Sequence, residues 1–344
     1  MIAAPRISIV TPTKNRGELL MQTMDTVAAQ TMQDWEHVIV DDGSTDGTHE
    51  AVARRAAADA RIRFIARPPG ERGGANVCRN LGLREARGDL VLFLDSDDLL
   101  RPECLARRVE AMARNQDLDF AVFPADVFRE KAGDMGKAFH DMSPGDDLLR
   151  FLCLECVWEI TGPVWRKPFL ERLGGFDEAL PSMQDVDLHV RAIASGARYI
   201  FFRGADHDIR WQPDPSKISV RHFHDPAAIA ASRVIPEALV SAIEGAGLMR
   251  WTLRRAALGR LFQTSESFAR LGHLGEALAE WRAACRKYAA PAHIRWSGVA
   301  MLLIARRARG ETTLAHRIVN KWRGLARFRS EPALIVPPRP EARR

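Results

Sequence analysis

The stretch Leu90-Val91-Leu92-Phe93-Leu94-Asp95-Ser96-Asp97-Asp98 joins a short apolar run directly to three carboxylates. The apolar run has the length and the side chains of a buried strand. The carboxylates that follow it would repel one another unless a cation or a neutral group lay between them. A buried strand that ends in an acidic loop is typical of an α/β protein whose ligands bind at one edge of a parallel sheet.

The same strand-then-helix pattern precedes and follows this stretch. Short β-branched or apolar runs alternate with segments whose apolar residues recur at helical spacing. The predicted strands are residues 7–11, 37–40, 62–65 and 90–94, and the predicted helices are residues 17–30, 46–58, 75–86 and 102–114. Four such units predict an α/β fold of Rossmann-like type, with a mostly parallel sheet between two layers of helices.

The pattern changes towards the C-terminus. Residues 119–123 and 199–203 are predicted strands, residues 182–195 are a predicted helix, and residues 125–144 are predicted to loop over the site. Beyond residue 226 the spacing is helical throughout. We therefore predict an α/β domain at residues 1–225, an all-helical domain at residues 226–330 and a flexible tail at residues 331–344.

Composition excludes several classes of protein. The chain has 344 residues, of which 46% are hydrophobic and 27% charged, as in an ordinary globular protein. Its apolar runs are shorter than the ~18–20 residues that cross a bilayer, and its start does not resemble a secretory signal, so we expect a cytoplasmic protein. The five cysteines lack the spacing of a zinc site and are interpreted as free thiols.

Charge is distributed unevenly along the chain. Residues 250–344 contain 20 Lys and Arg against 6 Asp and Glu, a net charge of +14, which leaves −8 for residues 1–249. Such a basic region attracts anionic lipid, a polyanionic acceptor or nucleic acid, or is simply a solvated helical surface. We hypothesise that it docks on an anionic membrane face or a phosphate-bearing acceptor, because within residues 296–309 an apolar stretch meets Arg306, Arg307 and Arg309.

Three predicted loops carry side chains suited to chemistry. The first, Thr11-Pro12-Thr13-Lys14-Asn15-Arg16, offers hydroxyls and cations that could hold a nucleotide. The second places Asp41 and Asp42 side by side before a glycine turn. In the third, residues 95–98, carboxylate oxygens suit Mg²⁺ or Mn²⁺, which take one or two protein carboxylates together with substrate phosphates. A solvated acidic turn is the alternative interpretation of this last loop.

Taken together and in order, these segments resemble the inverting nucleotide-sugar glycosyltransferases of family 2, which have the GT-A fold. The resemblance covers about residues 5–225. The matching segments are Ser8-Ile9-Val10-Thr11-Pro12-Thr13, Val38-Ile39-Val40-Asp41-Asp42-Gly43-Ser44, residues 74–80, Leu94-Asp95-Ser96-Asp97-Asp98, Gly174-Gly175-Phe176-Asp177-Glu178 and Gln184-Asp185-Val186-Asp187-Leu188.

The resemblance implies roles for residues on the donor side. Thr11, Thr13 and Asp42 would contact the nucleoside, and Asp95 would lie near the ribose. Asp97, the last residue of the D-x-D motif, would ligate the Mg²⁺ or Mn²⁺ that bridges the donor phosphates. Arg79 and Asn80 would line the nucleotide and the sugar, although a helix-surface charge explains Arg79 equally well.

The resemblance also implies a catalytic base, Asp185, at the start of a helix. Asp187 and Arg191, four residues apart, are more simply a structural ion pair. The family often has Glu before its base, whereas Gln184 stands there in this chain. The missing charge should leave the pKa of Asp185 less raised than in a Glu-Asp pair.

Four further residues are candidates for the acceptor or diphosphate side. Trp158 and Trp165 lie where family members shape the acceptor site, and an aromatic face suits a sugar ring, but core packing explains each of them better. His222 and His224 follow a segment that resembles the family's closing loop. Either could reach the metal or the diphosphate, and an ordinary surface or core histidine is the alternative.

The implied activity is inverting transfer of a sugar from a nucleoside-diphosphate sugar, with a UDP-sugar favoured, to a hydroxyl of a glycan or lipid-linked acceptor. The implied setting is polysaccharide, glycolipid or glycoprotein glycan assembly, and no nucleic-acid partner is expected. A sugar nucleotidyltransferase is disfavoured, because the first loop has no glycine before Gly17. A catalytically silent sugar-nucleotide-binding module on a helical scaffold that binds membrane or nucleic acid is the remaining alternative.

Overall fold

The computed structural model describes residues 4–139, 145–153, 155, 157–211, 231, 233–307 and 314–325. In this part of the chain, an α/β unit built on two sheets is followed by a helical C-terminal region. The strands are β1 (Ile7–Thr13), β2 (Trp35–Asp41), β3 (Ile62–Ala66), β4 (Leu90–Phe93), β5 (Leu99–Leu100), β6 (Phe120–Val122), β7 (Ala125–Phe128), β8 (Lys137–Ala138), β9 (Pro163–Arg166), β10 (Tyr199–Phe201) and β11 (His207–Arg210).

Helices cover the main sheet and form the C-terminal region. They are α1 (Gly17–Ala28), α2 (Thr48–Ala58), α3 (Ala75–Glu85), α4 (Cys104–Arg114), α5 (Asp147–Leu152), α6 (Lys167–Leu173), α7 (Gln184–Ala194), α8 (Val234–Gly245), α9 (Trp251–Arg270), α10 (Leu274–Lys287), α11 (Ala292–Ala305) and α12 (Leu314–Leu325). The predicted strands and helices of the first 114 residues are therefore present, with ends that differ by one to a few residues.

The main sheet has seven strands in the order β10-β6-β9-β4-β1-β2-β3. All neighbouring strands are parallel except β9, which runs antiparallel to β4 and β6. In the register, Thr13 of β1 lies beside Asp41 of β2, and Val10 of β1 lies beside Phe93 of β4. The loops after these three strands therefore meet at one edge of the sheet, and the predicted fold class is confirmed.

A second sheet of four short strands, β5-β11-β7-β8, lies beyond this edge. It corrects part of the predicted loop at 125–144, because β7 and β8 pair antiparallel within that segment. The side chain of Arg101 binds Asp126 of β7 and Asp208 of β11, which crosslinks adjacent strands. The strand β7 also pairs with β11, far along the chain, and local sequence pattern does not report such a partner.

The helical region is continuous with the core of the α/β unit. One apolar cluster joins Val10, Phe93 and Trp158 of the sheet unit to Ile235 of α8 and Leu253 of α9. A separate cluster begins only at Leu258 and contains the inner faces of α10, α11 and α12. The helix α8 and the first turns of α9 therefore pack in the same apolar cluster as the sheet, and the domain boundary at residue 226 stays a prediction.

The remaining predictions about chain class concern cysteines and membrane spans. Cys78, Cys104, Cys153 and Cys285 are buried free thiols, and Cys156 lies outside the described residues. In the described part of the chain, no helix combines the length and the apolarity that a bilayer-spanning segment requires.

Candidate active site at the carboxyl edge of the main sheet

The loop after β2 gives its two carboxylates different partners. Asp41 accepts hydrogen bonds from the backbone N–H groups of Gly43 and Ser44, at 3.2 and 3.0 Å, and so shapes the turn. Asp42 faces α3, where it accepts a hydrogen bond from the backbone N–H of Gly74 at 3.1 Å. It also binds Arg67 Nε at 2.6 Å. The repulsion between adjacent carboxylates is thus relieved by a turn on one side and a guanidinium on the other.

The two threonines of the first loop differ in what they offer to a ligand. Thr11 is completely buried, and its hydroxyl lies 2.9 Å from His37 Nε2 inside the sheet. Burial lowers the pKa of His37 to about 3, so this pair is neutral. Thr13, one pleat nearer the edge, is 4% exposed, and its hydroxyl has no hydrogen-bond partner among the described residues. Thr13 therefore has free hydrogen-bonding capacity at the edge, whereas Thr11 has already used its own.

Arginines pair with two carboxylates of the acidic loop after β4. Asp95 accepts a hydrogen bond from Arg79 Nη2 at 2.7 Å, and its side chain is 38% exposed. Asp97 Oδ2 lies 3.0 Å from Arg16 Nη1, at the end of the first loop. Two carboxylates of the D-x-D motif thus point towards cations that come from two different loops.

Asp98, the third carboxylate of this loop, turns inwards. Its Oδ1 accepts the backbone N–H of Arg210 at 3.0 Å, and Arg210 Nε donates to the carbonyl of Asp97. Burial raises the pKa of Asp98 well above its usual value, and the charges of Asp97 and Asp95 add to the rise. Asp98 is therefore a structural group that fixes the acidic loop on β11.

Arg79 projects from α3 towards the acidic loop. Gly82, nearly one turn further along the helix, allows this approach, because a Cβ there would lie 2.4 Å from Val10 Cγ1 of β1. Arg79 is 3% exposed, so it is not a helix-surface charge. Its Nε and Nη1 atoms are buried without a hydrogen-bond partner among the described residues. Buried donors without acceptors are costly, which makes this guanidinium suited to an oxygen-rich ligand.

Asp185 lies in the first turn of α7, as its predicted role requires. Burial raises the pKa of this carboxyl to about 6. The backbone N–H of Val186 and the charge of Arg79 oppose that rise. The charges of Asp95 and Glu159 add to it. Asp185 thus lies within electrostatic reach of the Asp95–Arg79 pair, although the two carboxylates are far apart in sequence.

A glycine turn between α6 and the extended segment before α7 is held by α3. Gly175 has a φ of +66°, and its position is closed off by Asn80 Oδ1, which accepts the backbone N–H of Phe176 at 2.8 Å. Asn80 Nδ2 donates to the Phe176 carbonyl and to Glu178. These bonds show that Asn80 holds the turn, and its role in lining the nucleotide and sugar stays a prediction.

The ion pair predicted within α7 is present. Arg191 Nη2 lies 2.8 Å from Asp187 Oδ2, and the same guanidinium donates to the carbonyls of Leu173 and Gly175. Because Arg191 reaches the glycine turn as well as its own helix, it orients α7 relative to α6. The pair thus fixes the helix that presents Asp185.

The candidates for the acceptor or diphosphate side are two tryptophans and two histidines. Trp158 and Trp165 are both completely buried among aromatic rings, where Trp165 stacks on Phe169. No acceptor reaches a ring in that position, so an acceptor-side role for these two residues is corrected to core packing. His222 and His224 lie outside the described residues.

A buried chain of charges under the edge was missed by the sequence analysis. Arg108 Nε and Nη2 bind the two oxygens of Asp206 at 2.9 and 2.8 Å. His207 lies between Asp206 Oδ1 at 2.8 Å and Glu159 Oε1 at 2.7 Å. Burial opposes a charged His207, but the Glu159 charge and the two hydrogen bonds prevail and raise its pKa. These residues lie in three separate segments, so no local motif announces them.

The carboxylates at the edge fit a hard divalent cation in the chemistry of their donors. Asp95 and Asp97 offer only oxygen atoms, and Mg²⁺ and Mn²⁺ sites often use one or two such carboxylates and complete the shell with substrate phosphates and water. Among the described residues, no group of three or more His, Cys, Asp or Glu side chains is arranged to hold a metal ion.

Sequence comparison relates the chain to known proteins. The profile described as Glycosyl transferase family 2 matches residues 8–154. The putative teichuronic acid biosynthesis glycosyltransferase TuaG of Bacillus subtilis is 38% identical over 108 residues, 31% of this chain and 42% of the relative. The GalNAc(5)-diNAcBac-PP-undecaprenol beta-1,3-glucosyltransferase of Campylobacter jejuni is 30% identical over 135 residues, 39% of this chain and 42% of that protein. The chain thus spans about two fifths of the length of these relatives.

Structural comparison extends over more of the chain. The crystal structure of residues 1–349 of S. aureus TarS in complex with UDP-GlcNAc has a TM-score of 0.64 and 21% sequence identity to this chain. The match covers 93% of this chain and 92% of the TarS chain, so the shared fold includes the helical region. The profile match and the relatives agree that residues 8–154 are similar to glycosyl transferase family 2, and the match to TarS shows a GT-A-like fold.

Proposed function

We propose that this protein is an inverting, metal-dependent glycosyltransferase that moves a sugar from a nucleoside-diphosphate sugar to an acceptor hydroxyl. The observation that carries the proposal is the position of Asp185. Its pKa is raised to about 6, and it lies within electrostatic reach of the arginine-bound Asp95 at the edge of the sheet. A carboxylate with that pKa is ionised at neutral pH and still basic enough to accept a proton.

The proposed reaction is a single displacement. Asp185 accepts the proton of the acceptor hydroxyl as its oxygen forms a bond to the anomeric carbon of the sugar. On the opposite face, the bond from that carbon to the diphosphate oxygen breaks, and its electron pair leaves with the nucleoside diphosphate. The configuration at the anomeric carbon is therefore inverted, and no covalent enzyme intermediate is needed.

Several residues of the edge are proposed to bind the donor. Thr13 and Asp42 contact the nucleoside, since the Thr13 hydroxyl has no hydrogen-bond partner among the described residues and Asp42 lies beside it. Thr11 is a less suitable contact, because its hydroxyl is bound to His37. Arg79 orients Asp95 and offers to donor oxygens the Nε and Nη1 atoms that have no partner in the described part of the chain.

A divalent cation is proposed to bind at Asp97, with Asp95 nearby. When bound, Mg²⁺ or Mn²⁺ would stabilise the negative charge that develops on the leaving diphosphate. Arg16 Nη1 lies 3.0 Å from Asp97 Oδ2, so a guanidinium from the first loop holds this carboxylate in place at the edge.

The substrates are proposed from the relatives. The TarS structure of the same fold was solved with UDP-GlcNAc, which favours a UDP-sugar as donor. The name of the Campylobacter jejuni relative specifies an undecaprenol-linked acceptor, and that of the Bacillus subtilis relative specifies teichuronic acid biosynthesis. We therefore propose a glycan or lipid-linked acceptor in polysaccharide assembly.

The decisive experiment is a donor panel. Purified protein is incubated with UDP-, GDP- and dTDP-sugars and Mn²⁺, and free nucleoside diphosphate is measured. We expect release with one nucleotide class, loss of release in Asp97→Ala, and retention in the matched control Asp25→Ala. Asp25 is an exposed carboxylate paired with Arg55, remote from the acidic loop in sequence. Absence of turnover with every donor, combined with tight donor binding, would instead support the catalytically silent module.

A further inference from the structure

The helix α11 has one face packed and one face exposed. Its buried residues include Ile294, Gly298 and Leu302, and a Cβ at Gly298 would lie 2.4 Å from the ring of Trp281 in α10. This close approach fixes the rotation of α11. On the opposite face, Trp296 is 68% exposed and Leu303, two turns away, is 46% exposed. A tryptophan that exposed has given up most of the free energy that burial would supply.

The helix α12 repeats the arrangement. Val319 is completely buried, and Arg323 faces inwards, 3.7 Å from Glu266 of α9. On its outer side, Leu314 is 70% exposed and Ile318, one turn later, is 39% exposed. Four of the large exposed apolar side chains in the described part of the chain thus lie on the last two described helices.

Basic side chains border these apolar positions, and acidic ones are absent from both helices. Within 292–307 and 314–325 there is no Asp or Glu. The exposed cations of the two segments are Arg295, Arg306, Arg307, Arg317 and Lys321. None of these five forms an ion pair with a residue in the described part of the chain, whereas most arginines near the acidic edge do.

We propose that the outer faces of α11 and α12 form a docking surface for an anionic lipid bilayer. The exposed side chains of Trp296, Leu303, Leu314 and Ile318 enter the boundary between headgroups and acyl chains. The bordering cations contact lipid phosphates and carboxylates. This combination of exposed apolar side chains with a purely basic border is the composition of helices that lie in the plane of a membrane surface.

Charge complementarity selects this occupant. A nucleic acid would satisfy the cations but would leave the exposed leucines and isoleucine in water. A neutral bilayer would bury the apolar side chains but would leave unpaired charge at its surface. An anionic bilayer satisfies both sets, and the proposal does not depend on the proposed transferase activity, because docking needs neither donor nor acceptor.

The test is cosedimentation of the full chain with sucrose-loaded vesicles. Vesicles of phosphatidylcholine alone are compared with equal parts of phosphatidylcholine and phosphatidylglycerol, and bound protein is measured against salt concentration. We expect binding to the mixed vesicles that weakens with salt, and little binding to the neutral ones. Equal binding to both, or stronger binding to duplex DNA than to mixed vesicles at the same salt, overturns the proposal.

Variants locate the surface. Arg306→Gln with Arg307→Gln should weaken binding by about fivefold for each charge removed, since one basic residue near an anionic surface contributes about that factor. The matched control removes two exposed arginines of α10, Arg282→Gln with Arg286→Gln. An equal loss in both double variants would show that only net charge matters and would overturn the assignment to α11 and α12.

The apolar part is tested separately. Trp296→Ser should weaken binding to mixed vesicles about tenfold, as expected for loss of a large interfacial side chain. Its control is Trp251→Ser at the start of α9, where the tryptophan is 62% exposed but lies outside the proposed surface. Unchanged binding in Trp296→Ser, or an equal loss in Trp251→Ser, contradicts the proposal. Both tryptophans are exposed, so thermal unfolding of each variant should match that of the parent chain.

Discussion

The acidic edge of the main sheet and the basic helices α11 and α12 differ in how their charged side chains are paired. At the edge, carboxylates are matched within the molecule, as Asp42 is by Arg67 and Asp97 is by Arg16. On α11, on α12 and directly after α11, cations such as Arg295, Arg306 and Arg317 are exposed and have no ion-pair partner in the described part of the chain.

This difference in charge pairing indicates which kind of ligand suits each region. Charges paired inside a cleft are held in a fixed geometry, which suits a substrate that must be positioned to within a fraction of an ångström. Unpaired charges on a helix surface suit a broad, diffuse partner whose exact position matters little. If the comparison holds, substitutions at the edge change chemistry, and substitutions on the outer helices change location but not turnover.

The largest effect is expected at the proposed base. Asp185→Asn should lower sugar transfer by about 10³-fold while donor binding persists, because general-base catalysis contributes roughly 10² to 10⁴. Transfer is measured with the donor found in the panel, and donor affinity by calorimetry. The control Asp25→Asn changes an exposed carboxylate that pairs with Arg55 and should retain turnover. Similar losses of turnover in the two variants would reject Asp185 as the base.

The next effect concerns stability at the buried charges. Asp206→Asn should lower the free energy of unfolding by about 3–5 kcal/mol, because it leaves Arg108 buried without its partner. Urea unfolding measures the change. The same substitution in a part-exposed pair, Asp59→Asn beside Arg61, should cost no more than about 1 kcal/mol. Equal losses of unfolding free energy in the two variants would mean that burial does not increase the contribution of the Arg108–Asp206 pair.

A third substitution separates the two regions. Gly298→Ala places a methyl group against the Trp281 ring and should destabilise the helical region by about 1–3 kcal/mol. Gly275→Ala, in α10, meets no atom within 4 Å and should be neutral or slightly stabilising. Donor turnover should be unchanged in both, and a large loss in Gly298→Ala would show that the outer helices support the site.

The pH dependence of turnover should report the environment of Asp185. Because burial raises its pKa to about 6, kcat/KM should be constant above that pH and fall about tenfold per unit below it. Gln184→Glu adds a neighbouring negative charge and should shift this acid limb upwards by a fraction of a pH unit. A limb near pH 4, or no shift in the variant, would contradict the assignment.

The raised pKa of Asp185 also implies that ionisation of this carboxyl lowers the stability of the folded protein. Ionised Asp185 is less favourable in the folded than in the unfolded protein, so stability falls as pH rises from about 4 to about 6. Asp185→Asn removes that cost and should raise the free energy of unfolding at neutral pH by about 1–2 kcal/mol, after allowance for partial exposure. The gain should vanish near pH 3, where the carboxyl is protonated in both states.

Sequence patterns predicted the parallel strands well because each strand reports itself. The runs that became β1, β2 and β4 are β-branched or apolar and are followed by turn residues, so their existence was predictable from local chemistry, although their ends differed by up to two residues. The strands of the second sheet were missed because β5 and β8 have only two residues each and gain their stability from distant neighbours. The Asp187–Arg191 pair was predicted, since i,i+4 spacing is a local property.

The candidate site residues show the same difference between local and long-range information. The proximity of Asp185 to Asp95 followed from a resemblance carried by several motifs, but the role of Asn80 in holding the glycine turn did not. Trp158 and Trp165 show the reason. A tryptophan in the sequence is compatible with a core position and with a sugar-binding site, and only its burial in the folded protein distinguishes these two roles.

The sequence by itself determined the alternation of strands and helices, the acidic loop after β4 and the excess of positive charge near the C-terminus. Each of these follows from residues close together in the chain. Only the tertiary structure decided which carboxylates meet arginines, which tryptophans are buried and which side of α11 is exposed. Those outcomes depend on which distant segments pack together, and burial changes the energy of a charge or a ring far more than its sequence neighbours do.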